Sequence, residues 1–511
     1  MAGVPTDGAP SHTEGAQASD TAGAQAEWDA LNRVPSGLYI GGRWRPASGG
    51  ATLVVEDPST GGPLVEVADA TPEDALAALA AAADAQAEWA STAPRTRSEI
   101  LRGAYELLLS RADELALVMT LEMGKALGES RAELSYAAEF LRWFSEEAVR
   151  VNGRYMTNTT GSGRILTMRQ PVGPCVFVTP WNFPTAMGTR KIAPAIAAGC
   201  TMVVKPAQQT PLSMLALAGV LEEAGLPGGV LNVITAHHSG AVIEPLLKDP
   251  RTRKLSFTGS TEVGRKLMEQ SAHQVLRVSM ELGGNAPFLV FEDADLDAAV
   301  DGALTAKLRN VGEACTAANR FHVHESIAGE FARRMAERMG SLKVGRGTEP
   351  GVDVGPLIDG RQRGIVEELV RDACDRGAKL LIGGESMSGP DYPGYFFAPT
   401  VLADVPSDAR ILREEVFGPV APVSAFSTDR QALDAANDTE YGLVAYLYTR
   451  DLNRTFHMAE ALEAGMVGVN QGVVSNPAAP FGGVKQSGFG REGGFEGIGE
   501  YLETKYVALA I

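Results

Sequence analysis

Cysteine is scarce in this chain. Cys175, Cys200, Cys315 and Cys374 are the four among 511 residues, and none forms a CxxC pair. That excludes a disulfide framework and fits a reducing cytoplasm, where free thiols persist. Histidine is also sparse, at seven residues. His322 and His324 alternate on one strand face without a third ligand nearby, and His237–His238 has no ligand spacing, so no metal is expected. Basic residues are outnumbered by acidic ones, 45 to 63, for a formal charge of −18. No basic cluster is interleaved with aromatics, which argues against nucleic acid and anionic membrane as partners. No apolar run approaches the roughly 18 residues of a transmembrane helix. The opening MAGVPTDGAPSHTEGAQASD has neither a basic start nor an apolar stretch, so it is not read as a signal peptide.

What is present is ordinary globular composition, 45% apolar and 21% charged, with 57 glycines. Residues 1–34 are polar and Ala/Gly-rich, with no Ile or Phe, and read as a disordered tail. Order is expected from GLYIGGRWRPA, a short hairpin, followed by strand, turn and strand through TLVVEDPSTGGPLVEVADA. Thr71, Pro72 and Asp74 spell a helix start. A second helix is expected from Ser98 to Met123, and a third carries Tyr136, Phe140, Trp143 and Phe144 as packing residues. Residues 151–170 read as an extended pair or loop.

From Gly173 the texture changes. CVFVTP, TMVVKP, VLNVITA and RKLSFTGS are short apolar strands with helices between them, the signature of βαβ units and a buried parallel sheet. A dinucleotide belongs outside the carboxyl ends of such strands. No GxGxxG follows any of them, which counts against an ordinary Rossmann phosphate loop. After Glu281 a second series begins with APFLVF, NRFHVH, GAKLLIGG, TVLADV and APVSAFS, suggesting a second α/β domain.

Several stretches carry chemistry. Cys315 sits in GEACTAA, where small neighbours leave room around a thiol. A thiolate can attack an aldehyde carbonyl to give a hemithioacetal, and local fields can lower a thiol's pKa. On its own residues Cys315 reads first as a small buried hydrophobe. Asn182 lies in TPWNFP, where a side-chain amide could donate to an alkoxide or merely close a turn. Glu281 lies in MELGGNAP, thirty-four residues before Cys315. A carboxylate in apolar surroundings can become a useful base. FTGSTEVG follows a strand and opens a helix, with Ser260 placed to donate to phosphate.

In order, spacing and completeness these stretches resemble the aldehyde dehydrogenase superfamily, and within it the succinate-semialdehyde dehydrogenase branch. The resemblance runs from about residue 37 to 511. It implies an α/β fold with a Rossmann-like cofactor domain (35–150, 171–280 and 467–494), an α/β catalytic domain (281–466) and a small oligomerisation sheet (151–170 and 495–511). It implies Cys315 as nucleophile, Glu281 as general base and Asn182 as oxyanion donor with the Cys315 backbone N–H. It places Thr179, Pro180, Trp181, Lys205, Gln208, Gly259, Ser260, Leu282, Gly283, Glu415 and Phe417 along NAD or NADP. NAD-specific relatives often carry Glu where Gln208 stands; a neutral amide removes repulsion of a 2′-phosphate, which tilts the expectation slightly toward NADP.

For the substrate, the resemblance places Arg190, Arg309 and Ser475 on a distal carboxylate, which two guanidiniums and a hydroxyl can grip directionally. Succinate semialdehyde is therefore the expected aldehyde. Glutarate semialdehyde is one methylene longer, worth only about 1–3 kcal/mol of discrimination, and other aliphatic aldehydes stay open. Ala317 stands where some members have a second cysteine, so no disulfide switch with Cys315 is expected. Glu281 argues against transfer of the acyl group to coenzyme A. A structural or binding protein on the same fold is the non-enzymatic alternative. The family also implies a homodimer or dimer-based tetramer.

Overall fold

Two parallel-cored sheets, built from those two series of strands, hold the molecule together in the computed structural model, which describes residues 23–510. The first sheet has eight strands in the order Gly488–Phe489, Arg277–Glu281, Lys254–Thr258, Cys175–Val178, Met202–Lys205, Leu231–Val233, Leu38–Ile40 and Arg43–Arg45. Its five central strands are parallel, and antiparallel strands close both edges. Buried side chains line both faces of the central strands, as expected where helices cover a parallel sheet. The chain runs outward from Cys175–Val178 in one direction, then returns to its other side at Lys254–Thr258. That reversal is a topological switch point, where crevices open at the carboxyl ends.

The second sheet has seven strands, in the order Lys379–Ile382, Thr400–Ala403, Val420–Phe426, Ala318–His324, Ala286–Val290, Val444–Tyr448 and Met466–Val469. All its pairings are parallel except the first, which is antiparallel. Glu281 ends a strand of the first sheet and Ala286 begins the second, so the crossing falls between them. On the return, Met466–Val469 still belongs to the second sheet, beyond the boundary expected at 466/467. Arg154–Thr157, Gly163–Pro171 and Leu502–Ala510 form a separate antiparallel sheet.

The helix at Pro72–Ser91 starts as its sequence dictates. Thr71 Oγ1 accepts from the Asp74 backbone and Asp74 reaches back to the Thr71 N–H, a capping box worth about 1 kcal/mol. Two expectations need correction. The single helix from Ser98 to Met123 is two, Pro94–Ser110 and Ala112–Met123, because the backbone leaves helical geometry at Arg111 (φ −108°, ψ 13°). The tail expected to be mostly disordered over 1–34 carries a helix at 23–32. Ala30 is buried against the core, and Glu27 pairs with Arg346 at 2.9 Å, contacts that tail composition does not reveal. Residues 1–22 lie outside the described residues.

Candidate active site

Three neighbouring strands deliver the first half of the site. Val178 is followed by Thr179-Pro180-Trp181-Asn182, Thr258 by Gly259-Ser260, and Glu281 by Leu282-Gly283. All three segments leave the carboxyl ends at the switch point. The second half comes from the other sheet. Helix Leu296–Leu308 ends in a tight turn, and Cys315 follows just before strand Ala318–His324.

That turn is strained. Asn310 (φ 57°), Val311 (φ 60°) and Gly312 (φ 81°) are all left-handed. A β-branched valine there is costly and needs compensating contacts. Val311 is buried in an apolar cluster, and Glu129 accepts from the Asn310 N–H at 2.6 Å. Glycine lets the two halves meet: a Cβ on Gly284 would lie 2.5 Å from the Cys315 carbonyl oxygen.

Between the halves lies a cleft of about 380 Å³. Its walls include Pro180, Trp181, Asn182, Gly259, Ser260, Leu282, Gly283, Cys315, Glu415 and Phe417. Asn182 is buried, and one of its two amide N–H groups donates to the Glu313 carbonyl at 2.9 Å. Asn310 donates to that same carbonyl at 2.9 Å, tying the amide to the loop that carries Cys315. Among the described residues, the Cys315 backbone N–H has no hydrogen-bond partner.

The thiol differs from expectation. Burial pushes Cys315 up to about 12; Arg190 and Arg309 oppose the shift, while Glu415 and Glu281 add to it. The lowering that local fields could give is not realised, because desolvation outweighs the two guanidiniums. In the free protein, alkylation of Cys315 by iodoacetamide should rise about tenfold per pH unit from 7 to 10, following the thiolate fraction. A plateau below pH 9 contradicts this.

Glu281 is buried, and among the described residues neither carboxylate oxygen has a hydrogen-bond partner. Burial pushes its pKa well above the usual carboxylate range. Glu492 adds to the shift, while Lys191, Arg190 and Arg491 oppose it. Lys191 is tied to both Glu492 and Ser256, so a buried charged cluster backs the carboxylate. Lys191 and Glu492 carried no motif signal in the sequence.

Beside the thiol lies a cationic corner. Arg309 Nη1 donates to Ser475 Oγ at 3.1 Å. Arg190 is fully buried, donates to Tyr136 Oη at 2.7 Å and sits 4.0 Å over the Phe481 ring centroid. Its Nε and Nη1 have no hydrogen-bond partner, although Nη1 lies 3.5 Å from Glu492. Tyr136, read from sequence as a packing residue, joins the two arginines, since Arg309 also lies over its ring. Its helical spacing gave no sign of that role.

The cleft fits a dinucleotide. Thr179 Oγ1 and Thr258 Oγ1 are buried without partners. Trp181 and Phe417 pack edge to face at 5.4 Å. Glu415 accepts from the Gly284 N–H at 3.0 Å, and burial raises its pKa to about 7. Ser260 caps helix Thr261–Ala272. Thr179, Lys205 and Gln208 are not part of the cleft wall, whereas Gln209 is. Lys205 Nζ donates to Ser239 Oγ, and burial lowers its pKa to about 8. With no carboxylate paired to it among the described residues, this lysine can still receive an anion. Among the described residues, no three His, Cys, Asp or Glu are grouped to hold a metal.

A family model described as "Aldehyde dehydrogenase family" matches residues 44–507. Among curated proteins, the chain is 60% identical over 447 residues to a succinate-semialdehyde dehydrogenase of Paenarthrobacter nicotinovorans, covering 88% of this chain and 99% of that protein. It is 47% identical over 473 residues to a glutarate-semialdehyde dehydrogenase of Pseudomonas putida, covering 93% and 97%. Among solved structures, an E. coli NADP-dependent enzyme superposes with a TM-score of 0.92 at 47% identity, covering 94% of this chain and 99% of the other.

Proposed function

The chain belongs to the aldehyde dehydrogenase family and oxidises an aldehyde to a carboxylic acid with NAD(P), and from that premise we propose that its substrate is succinate semialdehyde. The observation that carries the substrate is the cationic corner, where Arg309 is held on Ser475 and Arg190 on Tyr136. A guanidinium pair near the thiol suits an aldehyde whose far end is a carboxylate.

In this reading Asn182 and the Cys315 N–H receive the carbonyl oxygen, and the Cys315 thiol gives its proton to water as Sγ attacks the aldehyde carbon. Held along Trp181, Gly259, Ser260, Glu415 and Phe417, bound NAD(P) would supply the acceptor for the hydride lost from that carbon. The product is a thioester on Cys315. Glu281, its pKa raised by burial, removes a proton from water as the water attacks the thioester. The acid leaves and the thiol returns. Lys205 and Ser239, with neutral Gln208 nearby in sequence, support acceptance of NADP as well as NAD, with a slight lean to NADP.

A second reading, glutarate semialdehyde, is favoured by the Pseudomonas relative. Initial rates for succinate semialdehyde, glutarate semialdehyde, propanal and benzaldehyde, each with NAD and NADP, separate these readings. Succinate semialdehyde should exceed propanal and benzaldehyde in kcat/KM by about tenfold or more. Arg309→Met should lower kcat/KM for succinate semialdehyde about 100-fold, roughly 2.7 kcal/mol, and leave propanal within a fewfold. Propanal matching succinate semialdehyde in the unaltered enzyme contradicts the substrate.

The separate three-stranded sheet exposes Tyr155 and Leu509 on one face and Met156 and Tyr506 on the other, and this exposed apolar area supports a homodimer or dimer-based tetramer. No helix among the described residues is long and apolar enough to cross a membrane. The four free cysteines support a cytoplasmic location.

A further inference from the structure

Helix Leu127–Glu147 turns one stripe toward the active site. Glu129, Glu133 and Tyr136 lie at spacings of four and three, so they share a face. Glu129 holds the turn before the nucleophile, and Tyr136 holds Arg190. Glu133 between them is buried and paired with buried Lys125. Removing two charges from water is expensive, and such a pair is weak evidence for stability alone. Its contacts point elsewhere.

Lys125 Nζ also donates to the Asn182 carbonyl oxygen at 2.9 Å and lies 4.6 Å from the Phe183 ring centroid. Glu133 Oε1 accepts from the Thr185 and Ala186 N–H groups at 2.9 and 3.0 Å. Those are the first free donors of helix Ala186–Ala198, whose own N-cap residue makes no side-chain bond. The pair thus grips the segment Asn182–Ala186 at both ends. Its anchor is rigid: a Cβ on Gly347 would lie 2.3 Å from the Lys125 carbonyl oxygen, so the backbones are in direct contact.

We infer that Lys125 and Glu133 are positioning residues that hold Asn182 at the angle needed to stabilise the oxyanion. The inference rests on the proposed role of Asn182. Neither side chain touches the substrate. Their effect passes through the backbone of Asn182, whose amide must meet an oxygen that moves as the carbonyl carbon becomes tetrahedral.

The test combines Lys125→Met and Glu133→Gln. The pair of changes leaves no buried charge, and Gln retains an oxygen for the Thr185 and Ala186 N–H groups, but the bond to the Asn182 carbonyl is gone. In the otherwise unaltered enzyme, kcat should fall about tenfold or more. Cofactor affinity and the rate of Cys315 alkylation should stay within about twofold. In an Asn182→Ala background, already slowed about 100-fold, the two changes should have almost no further effect. Multiplying losses in both backgrounds, or an unchanged kcat, overturns the inference while leaving the role of Asn182 intact. If Asn182→Ala is itself as fast as the unaltered enzyme, the proposed role of Asn182 falls and the inference with it. Should the double change prevent folding, Lys125→Arg keeps the charge but not the ammonium geometry. It should show a smaller kcat loss that likewise vanishes with Asn182→Ala, and additive losses again overturn the inference.

Discussion

Cys315→Ser should lower kcat for aldehyde oxidation by about 10⁴-fold or more while cofactor affinity stays within a fewfold. The thiol lies at the junction of both halves of the site, and no other cysteine has that position. Cys175 and Cys200 are buried within the first domain's core, and Cys374 lies on helix Gly360–Asp375. A serine hydroxyl is a far weaker acid than even this desolvated thiol. Glu281 makes no hydrogen bond that would compensate, because its carboxylate oxygens have no partner. Cofactor binding should survive because the cleft wall is shared among Trp181, Gly259, Ser260, Glu415 and Phe417, which the substitution leaves in place. Steady-state rates with a cofactor titration by fluorescence check both parts. Retention of more than about a tenth of the activity contradicts the nucleophile.

Glu281→Gln should separate the two half-reactions. Formation of the thioester does not require a base for water, whereas its hydrolysis does. The variant should release one equivalent of reduced cofactor per active site in a rapid burst, then turn over about 10²- to 10⁴-fold more slowly than the unaltered enzyme. The raised pKa of Glu281 gives the pH dependence its sign. The carboxylate is the active form of a base, so where hydrolysis limits the rate, kcat should climb as pH rises through a value above the ordinary carboxylate range. That limb should be missing in Glu281→Gln. Loss of the burst together with the slow phase would place Glu281 in the first half-reaction instead.

Much of this site was legible in the sequence because its pieces sit where strands end. TPWNFP, FTGSTEVG and MELGGNAP each follow a short apolar run, and a parallel sheet brings such ends together without further information. The two series of strands likewise announced two α/β sheets. The parts that escaped depend on partners distant in sequence. Tyr136 looks like any packing aromatic until Arg190 and Arg309 are placed on it. Lys125 and Glu133 are eight residues apart, yet what they hold begins fifty-seven residues beyond Lys125. The direction of the Cys315 shift is a balance of burial, two arginines and two carboxylates, and only coordinates supply the balance. The helix over 23–32 escaped because its contacts, Glu27 with Arg346 among them, span more than half the chain.

Covalent catalysis through Cys315, released by Glu281, is the core of the proposed mechanism. Intact-mass and peptide mapping of Glu281→Gln, quenched in acid after mixing with succinate semialdehyde and oxidised cofactor, tests it most directly. The account predicts a succinyl group on the peptide containing Cys315, in near-equal amount to the reduced cofactor released in the burst. Reduced cofactor without that adduct, or an adduct on Cys374 instead, would contradict it.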